Sequence, residues 1–160
     1  MLMISPVPKT VRFRKCQGKR LVSGMMAAAV MMLCVPSADA AVLPVCAAAD
    51  RAGRAPTCIY DGDTGWQDGV KWRLKDIDAP EIGRKTADCR TEQRKGLRAR
   101  DRLRIMMARG YTIVNTGRDD SAGFALVHIR LEDGRDVGLQ MLSEDLVQAS
   151  PNTGNVWCGR

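Results

Sequence analysis

The chain has 160 residues, with 25 Lys+Arg against 18 Asp+Glu and a formal net charge of +7. That is enough for one domain, and the absence of internal repeats excludes a repeat architecture. Much of the excess charge sits in the first 40 residues, so the overall basicity is weak grounds for nucleic-acid binding.

Those 40 residues read as a secretory leader. Lys9, Arg12, Arg14, Lys15, Lys19 and Arg20 form a basic stretch, residues 21–36 an apolar run rich in Ala and Met, and Ala38-Asp39-Ala40 an A-x-A cleavage pattern. The run is short for a membrane span. The expectation is cleavage before Ala41, no stable span afterwards, and a protein secreted from the cell or held in the periplasm. The leader takes six of the 25 basic and one of the 18 acidic residues, which leaves 19 and 17, net +2.

Residues 41–54 are small and irregular, an N-terminal tail. Residues 56–60 read as a first strand. Residues 61–67 read as a second, after a break at Asp61-Gly62. Asp68-Gly69 is a two-residue hairpin signal. Residues 70–77 then form a third strand, with Val70, Trp72 and Leu74 on one face and Lys71, Arg73 and Lys75 on the other. Pro80 lacks the N–H a ladder needs and ends it. Residues 91–109 are the one long helical candidate, with Leu97, Ala99, Leu103, Met106 and Met107 as its apolar stripe and Gly110 as its stop. Residues 111–116 make a fourth strand, 117–123 a polar turn, and 124–131 a fifth strand. In that last strand Ala125, Val127, Ile129 and Leu131 face one way, and Phe124, Leu126, His128 and Arg130 the other. A short helix opens over 137–142, and residues 151–160 form a polar C-terminal tail. The expected fold is α+β, mainly β: an OB-fold five-stranded barrel over residues 55–150 with two or three packed helices.

Four cysteines follow the leader, an even number suited to an oxidising compartment. Three pairings are possible. Cys46–Cys58 is favoured because it pins the tail to the first strand; Cys89–Cys158 would then tie the C-terminus to the start of the long helix.

The chemistry concentrates between residues 61 and 81. Asp61, Asp63, Asp78 and Glu81 lie with Arg73 in strand–turn–strand sequence, where acids are ordinarily disfavoured. Crowded carboxylates repel unless a cation sits among them. A hard divalent ion such as Ca²⁺ favours oxygen ligands, and an arginine beside it can grip a phosphate at two points. The pattern points to metal-assisted phosphodiester cleavage. Arg84, Lys85, Arg90, Arg94, Lys95, Arg98, Arg100, Arg102, Arg104 and Arg109 form a dense basic segment beside it, either a solvated helix face or a flank that attracts phosphate.

Cys58-Ile59-Tyr60-Asp61-Gly62-Asp63-Thr64, then Trp72-Arg73-Leu74-Lys75-Asp76-Ile77-Asp78-Ala79-Pro80-Glu81, and Ser143-Glu144-Asp145-Leu146-Val147 together resemble the micrococcal nuclease-like (thermonuclease-like) family of secreted nucleases. The resemblance covers about residues 55–150. It implies the barrel, and it implies Asp63 and Asp78 as Ca²⁺ carboxylates with the Ala79 carbonyl as a third ligand. It implies Arg73 as a phosphate-binding arginine, Glu81 as the acid that orients or deprotonates the attacking water, and Asp61 as a supporting acid nearby. It also implies cleavage of the P–O5′ bond of DNA or RNA without sequence preference, leaving a 3′-phosphate, by a chain acting as a monomer. The family's second phosphate arginine lies in a Tyr-Gly-Arg-x-Leu-Ala pattern. Here Phe124 takes its place within Ser121-Ala122-Gly123-Phe124-Ala125-Leu126-Val127. A phenyl ring neither donates hydrogen bonds nor carries charge. Arg118, Arg130 or the basic segment could substitute, and His128 lies two strand positions beyond Phe124 on the same face. The alternatives to a secreted nuclease are a catalytically impaired OB-fold nucleic-acid-binding module and an exported interaction domain. Trp66 and Phe124 are the candidate base-stacking rings.

Overall fold

Asp68 and Gly69 both take positive φ, 51° and 85°, the backbone of a tight hairpin turn whose twist suits the flanking strands. That turn sets the register of strand β2 (Thr64–Gln67) against β3 (Val70–Leu74), with Gln67 opposite Val70 and Thr64 opposite Arg73. The computed structural model describes residues 41–47, 55–152 and 154–159; the expected leader lies outside them. Around the hairpin are β1 (Cys58–Ile59), β4 (Ile77–Asp78), α1 (Arg90–Met107), β5 (Tyr111–Asp119), β6 (Ala125–Leu131), α2 (Val137–Ser143) and β7 (Gln148–Ala149). The fold is α+β: a five-stranded sheet in the order β1-β2-β3-β6-β5, a small β4-β7 pair, and two helices. β3 and β6 run parallel; the other neighbours in both sheets are antiparallel.

The sheet does not close into the expected barrel, because β1 and β5 stand at its two ends. The outer edge of β1 is already taken. Val45 bridges Ile59 there, the Cys46 N–H donates to the Ile59 carbonyl at 3.0 Å, and the Ile59 N–H donates to the Pro44 carbonyl at 3.0 Å. The Cys46–Cys58 disulfide pins this segment in place. A side-chain bond from Tyr111 Oη to Gln67 Oε1, 2.7 Å, links β5 to β2.

Several strand bounds change: the first strand is only Cys58–Ile59, and the second begins at Thr64 because residues 61–63 bend away. The third strand breaks at Asp76, whose φ of 60° turns the chain so that Ile77 and Asp78 pair with β7 instead. The fourth strand runs on to Asp119 through an irregularity between Asn115 and Asp119. Gly117 absorbs it with a φ of 76°, and its N–H is caught by Asn115 Oδ1 at 2.7 Å.

In α1 the buried positions are Glu92, Gly96, Ala99, Leu103, Met106 and Met107, a helical period. Leu97, expected in the stripe, is exposed, and Gly96 holds the inner face. A Cβ at residue 96 would overlap the Pro80 carbonyl oxygen and stand 2.9 Å from Ile82 Cγ2 and 3.0 Å from the Glu81 carbonyl oxygen. The close seat of residues 80–82 on the helix therefore requires glycine. Trp72, Leu103, Met107, Ile129, Val137 and Met141 are the main fully buried side chains, and the inward face of β6 is as expected. The second disulfide joins Cys89, the N-cap of α1, to Cys158 in the tail. No helix among the described residues is long and apolar enough to cross a membrane.

Candidate active site

The turn between β1 and β2 is organised by one carboxylate. Asp61 Oδ1 accepts from the Asp63 N–H (3.1 Å), the Thr64 N–H (2.7 Å) and the Thr64 hydroxyl (2.7 Å), as aspartate at turns commonly does. Gly62 lets the turn pack closely against its neighbours. A Cβ there would come within 2.7 Å of Ala99 Cβ and 2.9 Å of Ala79 Cβ. The turn is thus wedged between α1 and the segment after β4.

That wedge buries Asp63, which is 7% exposed. One of its oxygens, Oδ2, accepts the Ala79 N–H at 3.1 Å. Burial pushes its pKa well above the ordinary value of 3.8, and the charge of Asp61 and a hydrogen bond with it push the same way; Arg73 and the Ala79 N–H only partly offset them. Asp61, Asp63, Arg73 and Ala79 are therefore brought together.

Asp78 is held from the other side. Its Oδ2 accepts from Gln148 Nε2 and Asn152 Nδ2, both at 2.7 Å, so β7 and the C-terminal tail orient it. Glu81 is exposed, and its carboxylate has no hydrogen bond or ion pair among the described residues. Its N–H donates to Glu92 Oε1 at 3.3 Å. Among the described residues, no three of Asp61, Asp63, Asp78 and Glu81 bring carboxylate oxygens within 4.8 Å of one another.

A tighter group does form from Cys89, Glu92 and Cys158. The two sulfurs are joined in a disulfide, so neither is a thiolate ligand. Glu92 acts instead as a clamp on the backbone. It is 3% exposed, and Oε2 accepts the Asp88 N–H at 2.7 Å while Oε1 accepts that of Glu81. From the sequence alone Glu92 was given no role. Its position three residues after the N-cap is the sign that could have singled it out.

Arg73 projects from β3 on the face opposite Trp72 and Leu74. Its Nη1 pairs with Asp120 Oδ2 at 3.0 Å, and its buried Nε has no hydrogen-bond partner among the described residues. Asp120 was not expected. Its Oδ1 accepts the Ala122 N–H (2.9 Å) and the Phe124 N–H (2.8 Å), and so fixes the loop that carries Phe124. The Phe124 ring centroid lies 5.0 Å from Arg73 Cζ and 4.6 Å from Lys71 Nζ. Two cations from β3, Lys71 and Arg73, thus lie against the Phe124 ring.

The expected substitutes are engaged elsewhere or simply solvated. Arg130 Nε and His128 Nδ1 lie 3.8 and 3.7 Å from Asp136, the N-cap of α2. Arg102 grips Glu144 with two bonds of 2.6 Å and holds that carboxyl down to about 2, so part of the basic segment joins α1 to the end of α2. Arg94, Lys95 and Arg98 remain on an open face of α1. No protein-family model matches this chain, and no curated protein matches it either.

Proposed function

We propose that the chain is an exported, Ca²⁺-dependent phosphodiesterase that cleaves the backbone of DNA or RNA without sequence preference, on an open variant of the OB-type barrel. The observation that carries this reading is Asp63: a buried carboxylate beside a second one, with only Arg73 and one N–H to balance it. Such a pair is costly unless a proton or a cation joins it. The donors this reading calls on are all oxygens: the carboxylates of Asp63 and Asp78 and the Ala79 carbonyl. That set suits a hard ion, and the second oxygen of Asp78 is left by the two amides that hold the first.

Bound Ca²⁺ would supply charge stabilisation at the phosphate and bring water to it. The chain's own groups would do the rest. Arg73, whose side chain is 39% exposed, would offer its remaining guanidinium donors to the phosphate oxygens. Glu81, exposed and with its carboxylate unpaired among the described residues, would align or deprotonate the attacking water. Its backbone is held on α1 by Glu92, which sets where that carboxylate stands. Strand order β1-β2-β3-β6-β5 and the Tyr111–Gln67 bond from β5 at one end to β2, next to the other, support the OB-type reading. The disulfides suit an oxidising compartment.

The pairing of Arg73 with Asp120 favours a second reading, a nucleic-acid-binding module without turnover, because a carboxylate already competes for the phosphate arginine. Cleavage of single-stranded DNA by the oxidised protein, with Ca²⁺ and with a chelator, separates them. The first reading expects Ca²⁺-dependent cleavage that falls by about 10²–10⁴-fold in Glu81→Gln. Folded protein that binds the strand with a salt-dependent affinity and never cuts it supports the second. Neither binding nor cleavage overturns both.

A further inference from the structure

Lys71 and Arg73 are two residues apart on one face of β3, about 7 Å along the strand at 3.3–3.4 Å per residue. Both cations lie against the ring of Phe124. Their surroundings differ. Arg73 shares its charge with Asp120. Lys71 Nζ donates to the Ala122 carbonyl at 2.6 Å, and that oxygen and the phenyl ring are neutral, so neither cancels the ammonium charge. Both hold it in place. The loop bearing them is itself fixed, since Asp120 Oδ1 ties the N–H groups of Ala122 and Phe124. Gly123, with a φ of 73°, lets the loop pass within 3.6 Å of Lys71 Nζ, measured from where a Cβ would stand. The result is an ammonium group held in position, partly exposed, beside Arg73. Lys75, the next residue on that face, is paired with Asp76 and is not equivalent.

We infer that Lys71, positioned by Phe124 and the Ala122 carbonyl, is a phosphate-binding residue that grips the nucleic-acid strand beside the phosphate at Arg73. The inference rests on the reading of the preceding subsection and names the group that supplies the second positive charge there. The ring fixes where the ammonium stands without neutralising it, and a phosphodiester oxygen completes the set of acceptors around the three donors of Lys71.

The test uses fluorescein-labelled oligo-dT with the oxidised full-length Glu81→Gln protein in Ca²⁺, across a series of KCl concentrations. Lys71→Met in that background is expected to weaken binding about three- to tenfold and to flatten the slope of log K against log [salt] by about 0.7, the share of one phosphate contact on a single strand. Lys71→Arg restores both affinity and slope, and Lys75→Met changes neither. An unaltered thermal midpoint in Lys71→Met shows that the loss is not unfolding. If the Glu81→Gln parent binds and Lys71→Met matches it in affinity and slope, the inference is overturned and the preceding reading stands. If the parent binds no strand at any salt concentration, the preceding reading falls and this one with it.

Discussion

Gly96→Ala tests how residues 80–82, which carry the proposed catalytic Glu81, are seated. In an open helix interior, alanine gains about 1 kcal/mol over glycine. Residue 96 is the inner contact between α1 and residues 80–82, and the added methyl would overlap the Pro80 carbonyl oxygen and crowd Ile82 and Glu81. Carbon-to-oxygen contacts settle at about 3.3–3.6 Å, so helix and segment must separate by roughly 1 Å. Overpacking of this kind costs about 1–3 kcal/mol. Two backbone carbonyls are involved, and neither can swing away as a side-chain tip could. The cost therefore outweighs the propensity gain, and Gly96→Ala should lose about 1–2 kcal/mol. Urea unfolding should show a lower midpoint with an unchanged slope. The same displacement moves Glu81 and the Ala79 carbonyl, and a shift of about 1 Å at a catalytic group can cost up to about 10²-fold in turnover. Leu97→Ala, on the exposed side of the same turn, serves as the comparison and should cost less than about 1 kcal/mol. A Gly96→Ala protein stabilised by about 1 kcal/mol, as at an ordinary helix site, would refute the close seating.

Asp63→Asn should stabilise the Ca²⁺-free protein at neutral pH by about 0.5–2 kcal/mol, the usual trade at a strained functional group. The Asp63 pKa is raised on folding by burial first and Asp61 second, so stability present below 3.8 is lost as pH rises through the higher folded value. The advantage of the Asp63→Asn variant in thermal midpoint should therefore open above about pH 4 and close below it, measured in chelator; an advantage that grows toward acid pH would sink the argument. Added Ca²⁺ should raise the midpoint of the parent and leave that of the variant unchanged. Replacing both Cys89 and Cys158 by serine should cost about 2–4 kcal/mol. It should also weaken Ca²⁺ binding in calorimetric titration, since Asn152 and Gln148 hold Asp78 from the end of the chain that this disulfide anchors. Unchanged Ca²⁺ affinity would show that the tail does not orient Asp78.

The hairpin at Asp68-Gly69, the inward face of β6, the long helix and both disulfide pairs were legible because each depends on neighbours in sequence or on a small set of pairings. Leu97 and Gly96 were not. Periodicity ranks residues by hydrophobicity, whereas the inner face of α1 was chosen by how near a backbone carbonyl comes. The break at Asp76 escaped notice because β4 takes its partner from β7, some 70 residues on. The barrel failed to close because Val45 and Cys46, read as an irregular tail, occupy the edge that closure would need.

The sequence by itself determined the acidic turn at residues 61–63, the arginine on the outward face of β3, a phenylalanine at position 124 where the resemblance expects an arginine, and the cysteines available for pairing. These follow from residue type, alternation and turn chemistry, all local. Only the tertiary structure decided which groups meet. Asp120 reaches Arg73 across 47 positions, and Lys71 stands beside Phe124 because β3, far off in sequence, is the neighbour of β6 in the sheet. Glu92 turns inward to hold the Glu81 backbone, and Gln148 and Asn152 fix Asp78 from the far end of the chain. The physical reason is that burial and charge act through space: a carboxylate's partners and the cost of its charge depend on what the fold packs around it, which nearest-neighbour patterns do not encode.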